Sequence, residues 1–150
     1  MSHDALHCKL AIPAAVKAGD AIPLGFTLEN RGQLLLHVLN WNTPLEGFFG
    51  KYLLITGPAG PVPYEGPQVK RGAPERDEYL LLAPGQKAEA TVDLALPYRI
   101  AKPGRYKVSY AGSLYDVTTL TVPRKTENFT GMKIHCPAVE FELQASAPRR

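Results

Sequence analysis

Three features of this 150-residue sequence predict an all-β fold. Apolar and polar residues alternate with a period of two along several runs. Turn formers, among 13 Gly and 14 Pro, separate those runs instead of gathering in one tract. No segment carries a convincing helical period. Together these point to a single antiparallel immunoglobulin-like β-sandwich of about seven to nine strands.

Each element follows from its own pattern. "AIPLGFTLEN" sets Ile22, Leu24, Phe26 and Leu28 on one face, and "ENRGQ" closes it. "LLLHVLNW" and "KYLLIT" are apolar on both faces and read as more central strands. "TGPAGP" and "APGQ" are turns. "AEATVDLAL" then points Ala88, Ala90, Val92, Leu94 and Leu96 inward, with Glu89, Thr91 and Asp93 outward. "LALPYRI" is the best short-helix candidate, and Pro97 limits it to about a turn. "AKPGR" opens "GRYKVSY", where Tyr106, Val108 and Tyr110 alternate with Arg105, Lys107 and Ser109. Gly104-x-Tyr106-x-Val108 fits a tyrosine corner, whose phenol bonds back to the preceding loop; the plainer alternative is a Tyr packed on the sheet face. "VEFEL" is the last strand, with Val139, Phe141 and Leu143 on one side. The expectation is one domain over 1–150, with its core at about 7–143 and a flexible tail at 144–150.

Composition narrows the function classes. Hydrophobic residues make up 45% and charged residues 21%, ordinary for a globular protein. The net charge of +3 is too mild to argue for nucleic acid. The basic clusters "VKR" at 69–71, "PRK" at 123–125 and "RR" at 149–150 lack interleaved aromatics and read as solvated faces. No apolar run reaches the ~18 residues of a membrane span. No basic-then-apolar leader opens the chain, so the expected compartment is the cytoplasm, or the exterior or periplasm if a leader was removed. Cys8 and Cys136 would form one disulfide in a secreted protein, worth on the order of 4 kcal/mol, and stay as thiols in the cytosol.

Catalytic constellations are missing. His3 and His7 sit near the N-terminus with no third ligand, and His37 lies alone in a strand. His135 abuts Cys136, but strand neighbours point to opposite faces and cannot pair in place. HExxH, GxSxG, P-loop and Rossmann patterns are absent. The acids Glu75, Asp77 and Glu78 of "GAPERDEY" read as a solvated loop. No catalytic residue, metal ligand or cofactor is therefore expected, and a small sandwich of this kind is more often a binding module than a catalyst.

The densest stretch is "VLNWNTPLEGFFGKY" at 38–52. Trp41 ends an apolar strand, Asn42-Thr43-Pro44 starts a turn with Asn42 as acceptor, and Gly47 permits the exit. Glu46 is then displayed on a loop, and Lys70 and Arg71 of "VKRGAP" have the complementary charge. A Glu46–Arg71 pair would either brace the turn or belong to a contact surface. That candidate surface comprises Trp41, Asn42, Thr43, Glu46, Phe48, Phe49, Lys70 and Arg71.

The "N-x-x-TPLEG" turn, the "VKRGAP" loop, the "L-x-PG" turn, "VDL…Y" and "PG-x-Y" occur in order over about residues 20–143. In this the chain resembles the β-sandwich domain that precedes the catalytic domain in peptidyl-Lys metalloendopeptidases of the deuterolysin-like class. The sequence stops after "VEFELQASAPRR", where that family's zinc-protease domain would begin, so its HExxH and aspartate ligand have no counterpart. The resemblance implies a propeptide-like module and a protein partner, a peptidase that it would cover or inhibit. The rival expectations are an assembly subunit joined through a strand edge and, far behind, a small metal-dependent hydrolase using His37 or His135.

Overall fold

The computed structural model describes residues 5–146, so His3 and the arginine pair at 149–150 lie outside the described residues. The fold is all-β. Its strands are β1 Leu6–Ala11, β2 Ala15–Lys17, β3 Pro23–Asn30, β4 Leu36–Leu39, β5 Leu53–Gly57, β6 Gly60–Pro61, β7 Tyr79–Leu82, β8 Lys87–Asp93, β9 Gly104–Tyr110, β10 Val117–Thr118 and β11 Val139–Gln144. They form three sheets, ordered β1-β3-β8, β10-β4-β7 and β2-β11-β9-β5-β6. The pairings are antiparallel except that of β2 with β11.

The period-two pattern accounts for the register. Leu24 lies opposite Val92 and Phe26 opposite Ala90, so two apolar faces coincide across β3 and β8. Phe141 lies opposite Tyr106 across β11 and β9, and their rings stack at 5.3 Å. The inward faces of these two sheets share one core, with Phe26 and Tyr110 meeting at 6.0 Å. Leu24, Leu28, Leu53 and Val108 are fully buried there, each side chain contributing about 1.5–3 kcal/mol. A smaller core of Leu39, Trp41, Tyr79 and Val122 lies against the third sheet.

Cys8 of β1 is bonded to Cys136, with Cα atoms 4.8 Å apart. The bond joins an outer strand of one sheet to the segment leading into β11 of another.

Three expectations need correction. Leu96 is 80% exposed, not inward. The strand ends at Asp93, whose Oδ1 accepts from Ala95 N at 3.0 Å and Ile22 N at 2.8 Å, and the turn this builds swings Leu96 outward. Leu54 is 47% exposed because the outer face of β5 is uncovered. Of the tail expected at 144–150, Gln144 pairs with Lys17 and Ser146 Oγ donates to Ala18 O at 2.7 Å, while 147–150 lie outside the described residues. Leu94–Pro97 does form the single turn that Pro97 allows, closed by Tyr98 N donating to Leu94 O at 3.1 Å.

The Tyr106 hydroxyl donates to Lys102 O at 2.7 Å, the backward bond expected of a corner. Its ring lies so close to Gly57 that a Cβ there would overlap it. Tyr106→Phe keeps the ring and removes one bond, so the expected loss is about 1 kcal/mol in denaturant unfolding. An unchanged midpoint would reduce Tyr106 to packing alone.

Candidate functional site

The site grows from the end of β4. Trp41 turns into the smaller core, 3% exposed, edge-on to Tyr115 at 6.0 Å and Phe129 at 6.4 Å. Its buried indole N–H needs an acceptor. Glu78 supplies one, at 2.7 Å from Oε2. Glu78 is held there by a 3-10 turn, Arg76–Glu78, in which its other carboxylate oxygen accepts from Glu75 N at 2.9 Å. The Trp41 bond, then the Glu75 N–H and the Arg71 charge, hold the Glu78 carboxyl below its ordinary 4.5.

That shift has a sign. A carboxylate with a depressed folded-state pKa contributes stability above its unfolded value and loses it as pH falls through the folded one. Melting temperature should therefore drop below about pH 4.5, and Glu78→Gln should flatten that part of the profile. An identical acid slope in the variant would contradict the assignment.

The turn after Trp41 is tied at every residue. Asn42 takes φ 64°, a left-handed conformation that Asn tolerates. Its carbonyl accepts from Tyr110 Oη at 2.8 Å. Thr43, not Asn42, is the capping acceptor: its Oγ1 accepts from Leu45 N at 3.2 Å and donates to Asn40 O at 2.7 Å. Pro44 begins a 3-10 turn, Pro44–Glu46, and Gly47 leaves it at φ 90°. Glu46 folds back over its own turn. Its Oε2 accepts from Asn42 N at 2.7 Å and forms an ion pair with Arg71. The Arg71 guanidinium in turn lies 4.9 Å over the Trp41 ring. The two loops are thus clamped through one carboxylate, one cation and one indole.

These ties settle which candidate residues face solvent. Trp41 and Thr43 are buried, and the Glu46 side chain is only 7% exposed. Asn42, Phe48 and Arg71 are half-buried. Phe48 stacks on Tyr52 at 5.5 Å, and Tyr52 Oη donates to Gly47 O at 2.8 Å. Burial pushes the Tyr52 phenol far above its usual range. Of the eight residues of the candidate surface, Phe49 and Lys70 remain exposed, joined by Val69, whose N–H donates to Phe49 O at 3.0 Å. Beside them runs a groove of about 440 Å³ walled by Gly47, Phe48, Pro67, Leu96 and Pro97. The outward surface is therefore an apolar step with a lysine beside it.

Sequence reasoning missed Glu78 and a second polar cluster. Tyr79 Oη donates to Asp116 Oδ2 at 2.6 Å, and Arg124 Nε lies 3.2 Å from the same oxygen. Desolvation first, and the Asp116 bond second, push the Tyr79 phenol up to about 12. The spacing Glu75-x-x-Glu78 before an apolar run was the available signal for a capping turn. Among the described residues no group of three or more His, Cys, Asp or Glu is placed to hold a metal ion.

No protein-family model matches the chain. An extracellular protease of Aeromonas hydrophila is 29% identical over 91 residues, which are 61% of this chain and 26% of that protein. The chain thus spans about a quarter of that relative's length. Among solved structures, a β-glucosidase from Listeria innocua aligns with 94% of this chain and 16% of its own, at 14% identity and a TM-score of 0.41. The alkylpurine DNA glycosylase AlkC of Pseudomonas fluorescens aligns with 94% of this chain and 31% of its own, at 18% identity and a TM-score of 0.40. Both structural likenesses are too loose to bear on function.

Proposed function

We propose that this chain is a non-catalytic, protein-binding module whose partner is a peptidase, which it inhibits or covers in the manner of a propeptide. One observation carries the reading. The stretch shared with the extracellular protease fills most of this chain and a quarter of that one, as an accessory module of a larger protein would. We infer further that the fold is an immunoglobulin-like sandwich. In support, β1-β3-β8 faces β5-β9-β11 across one core, β2 runs parallel to the last strand, and Tyr106 bonds back to Lys102.

The contact surface is the step of Phe49, Val69 and Lys70 with the groove beside it. Phe49 and Val69 are 44% and 45% exposed, large apolar side chains that a partner would desolvate. Glu46 and Arg71 are the frame behind this surface. The test is a titration of the purified protein against the Aeromonas hydrophila protease, following peptide hydrolysis and complex formation by gel filtration. A stoichiometric complex with slowed hydrolysis supports the reading; full activity and no complex at tens of micromolar would remove it.

A second reading, an assembly subunit, is favoured by Leu35 and Leu81, 44% and 53% exposed at the sheet that contains β4 and β7. Light scattering separates the two, since a monomer at high concentration leaves that face without a second copy.

A further inference from the structure

We propose that the two clefts flanking the Cys8–Cys136 bond form a docking surface for an acidic polypeptide segment. This surface is separate from the Phe49 step and does not depend on the partner being a peptidase.

The geometry comes from β1. It is an outer strand of its sheet, and the disulfide pins residues 133–138 beside it. One cleft of about 510 Å³ lies between Leu6–Cys8 and Lys133–Pro137. A second, of about 520 Å³, opens over the outer face of β1, β3 and β8. Both are lined by His7, Cys8 and Pro137, so they adjoin across the bond. Apolar walls come from Ile134, Pro137 and Val139.

The charge is one-sided. Lys9, Arg31, Lys87 and Lys133 line the clefts against a single carboxylate, Glu29. Glu29 is already paired with Arg31 at 2.8 Å. Lys9, Lys87 and Lys133 take part in no ion pair among the described residues. The clefts therefore hold three net positive charges with histidine neutral, as many as the net +3 of the entire chain. His7 and His135 line them as well. These residues are scattered from position 7 to position 135, and only strand pairing gathers them: His7 lies opposite Glu29, and Glu29 opposite Lys87.

The chemistry selects the partner class. No Phe, Tyr or Trp lines either cleft, so nucleobases have no ring to stack on. Arg31 is drawn into the cluster, its Nε–H donating to Glu29 and its Nη1 3.4 Å from His7 Nδ1, which leaves the lysines as the point charges without an ion-pair partner among the described residues. Point charges around apolar walls suit carboxylates alternating with aliphatic side chains. The disulfide fixes both walls in advance, which lowers the ordering cost of binding.

The test uses a fluorescein-labelled 12-residue peptide alternating glutamate and leucine, its glutamine counterpart, and a labelled 12-nucleotide single-stranded DNA. Anisotropy should show saturable binding of the glutamate peptide, weakened by raising salt as exposed charge pairs are screened. Lys9→Glu/Lys133→Glu should weaken it about ten-fold or more. The charge-matched Lys17→Glu/Lys107→Glu control should change it less than about two-fold, circular dichroism confirming both folds. Equal binding of the glutamine peptide, an equal loss in the control, tighter binding of DNA, or no binding would each overturn the proposal.

Discussion

Reducing the Cys8–Cys136 bond is expected to lower the unfolding free energy by about 5 kcal/mol, the loop-entropy value for its separation of 128 residues. The bond closes nearly the whole chain into one loop, so its loss gives the unfolded ensemble a large gain in freedom. In the folded state it ties β1, whose one strand neighbour among the described residues is β3, to the segment before β11. Guanidinium unfolding of the native protein with and without a phosphine reductant, and of Cys8→Ser/Cys136→Ser, measures this. A midpoint that moves by less than the equivalent of about 1 kcal/mol would mean that the sheets hold each other without the staple.

Trp41→Ala is expected to cost about 3–5 kcal/mol. The substitution empties the centre of the smaller core, between Leu39, Tyr79 and Val122. It also removes the donor to Glu78 and the ring beneath Arg71. Trp41→Phe separates the two contributions. It keeps most of the packing and loses the N–H, so about 1–3 kcal/mol should be lost. Equal losses in the two variants would place the stability in the Glu78 bond alone; a negligible loss in both would show that Trp41 is not a structural centre.

Much of the fold was legible because one physical rule governs it. Wherever one sheet face is buried, residues alternate, and Ile22 through Leu28, Tyr106 through Tyr110 and Phe141 with Leu143 all point as their pattern requires. The rule failed at Leu96 because the side chain of Asp93 ends the strand, a decision made by hydrogen bonds to Ile22 and Ala95 that periodicity does not register. The disulfide stayed open in the sequence, since two cysteines carry no record of which strands become neighbours.

The turn was half legible. Asn-Thr-Pro and Gly47 announced a turn, and opposite charge brought Glu46 and Arg71 together correctly. What the sequence lacked was direction. A loop carboxylate reads as exposed, yet here the Asn42 N–H and the Arg71 guanidinium draw it inward. Glu78 was hidden for the same reason: it looked like one of several acids in a solvated loop until the fold brought Trp41 to it. Long-range partners of polar residues are set by topology, and topology is the part that local patterning does not encode.

Glu46 and Arg71 are expected to brace the turn, while the exposed Phe49 carries the proposed contact. The direct measurement is a calorimetric titration of the Aeromonas hydrophila protease with Phe49→Glu and Glu46→Gln beside the unaltered protein, at a temperature where all three are folded. Phe49→Glu should leave stability within about 0.5 kcal/mol of the parent, as an exposed site does, yet abolish binding. Glu46→Gln should lower stability by about 1–2 kcal/mol, because it replaces a charge-assisted bond to a partly exposed guanidinium with a neutral one, and leave affinity within about two-fold. Loss of binding in folded Glu46→Gln, with full binding in Phe49→Glu, would contradict that expectation.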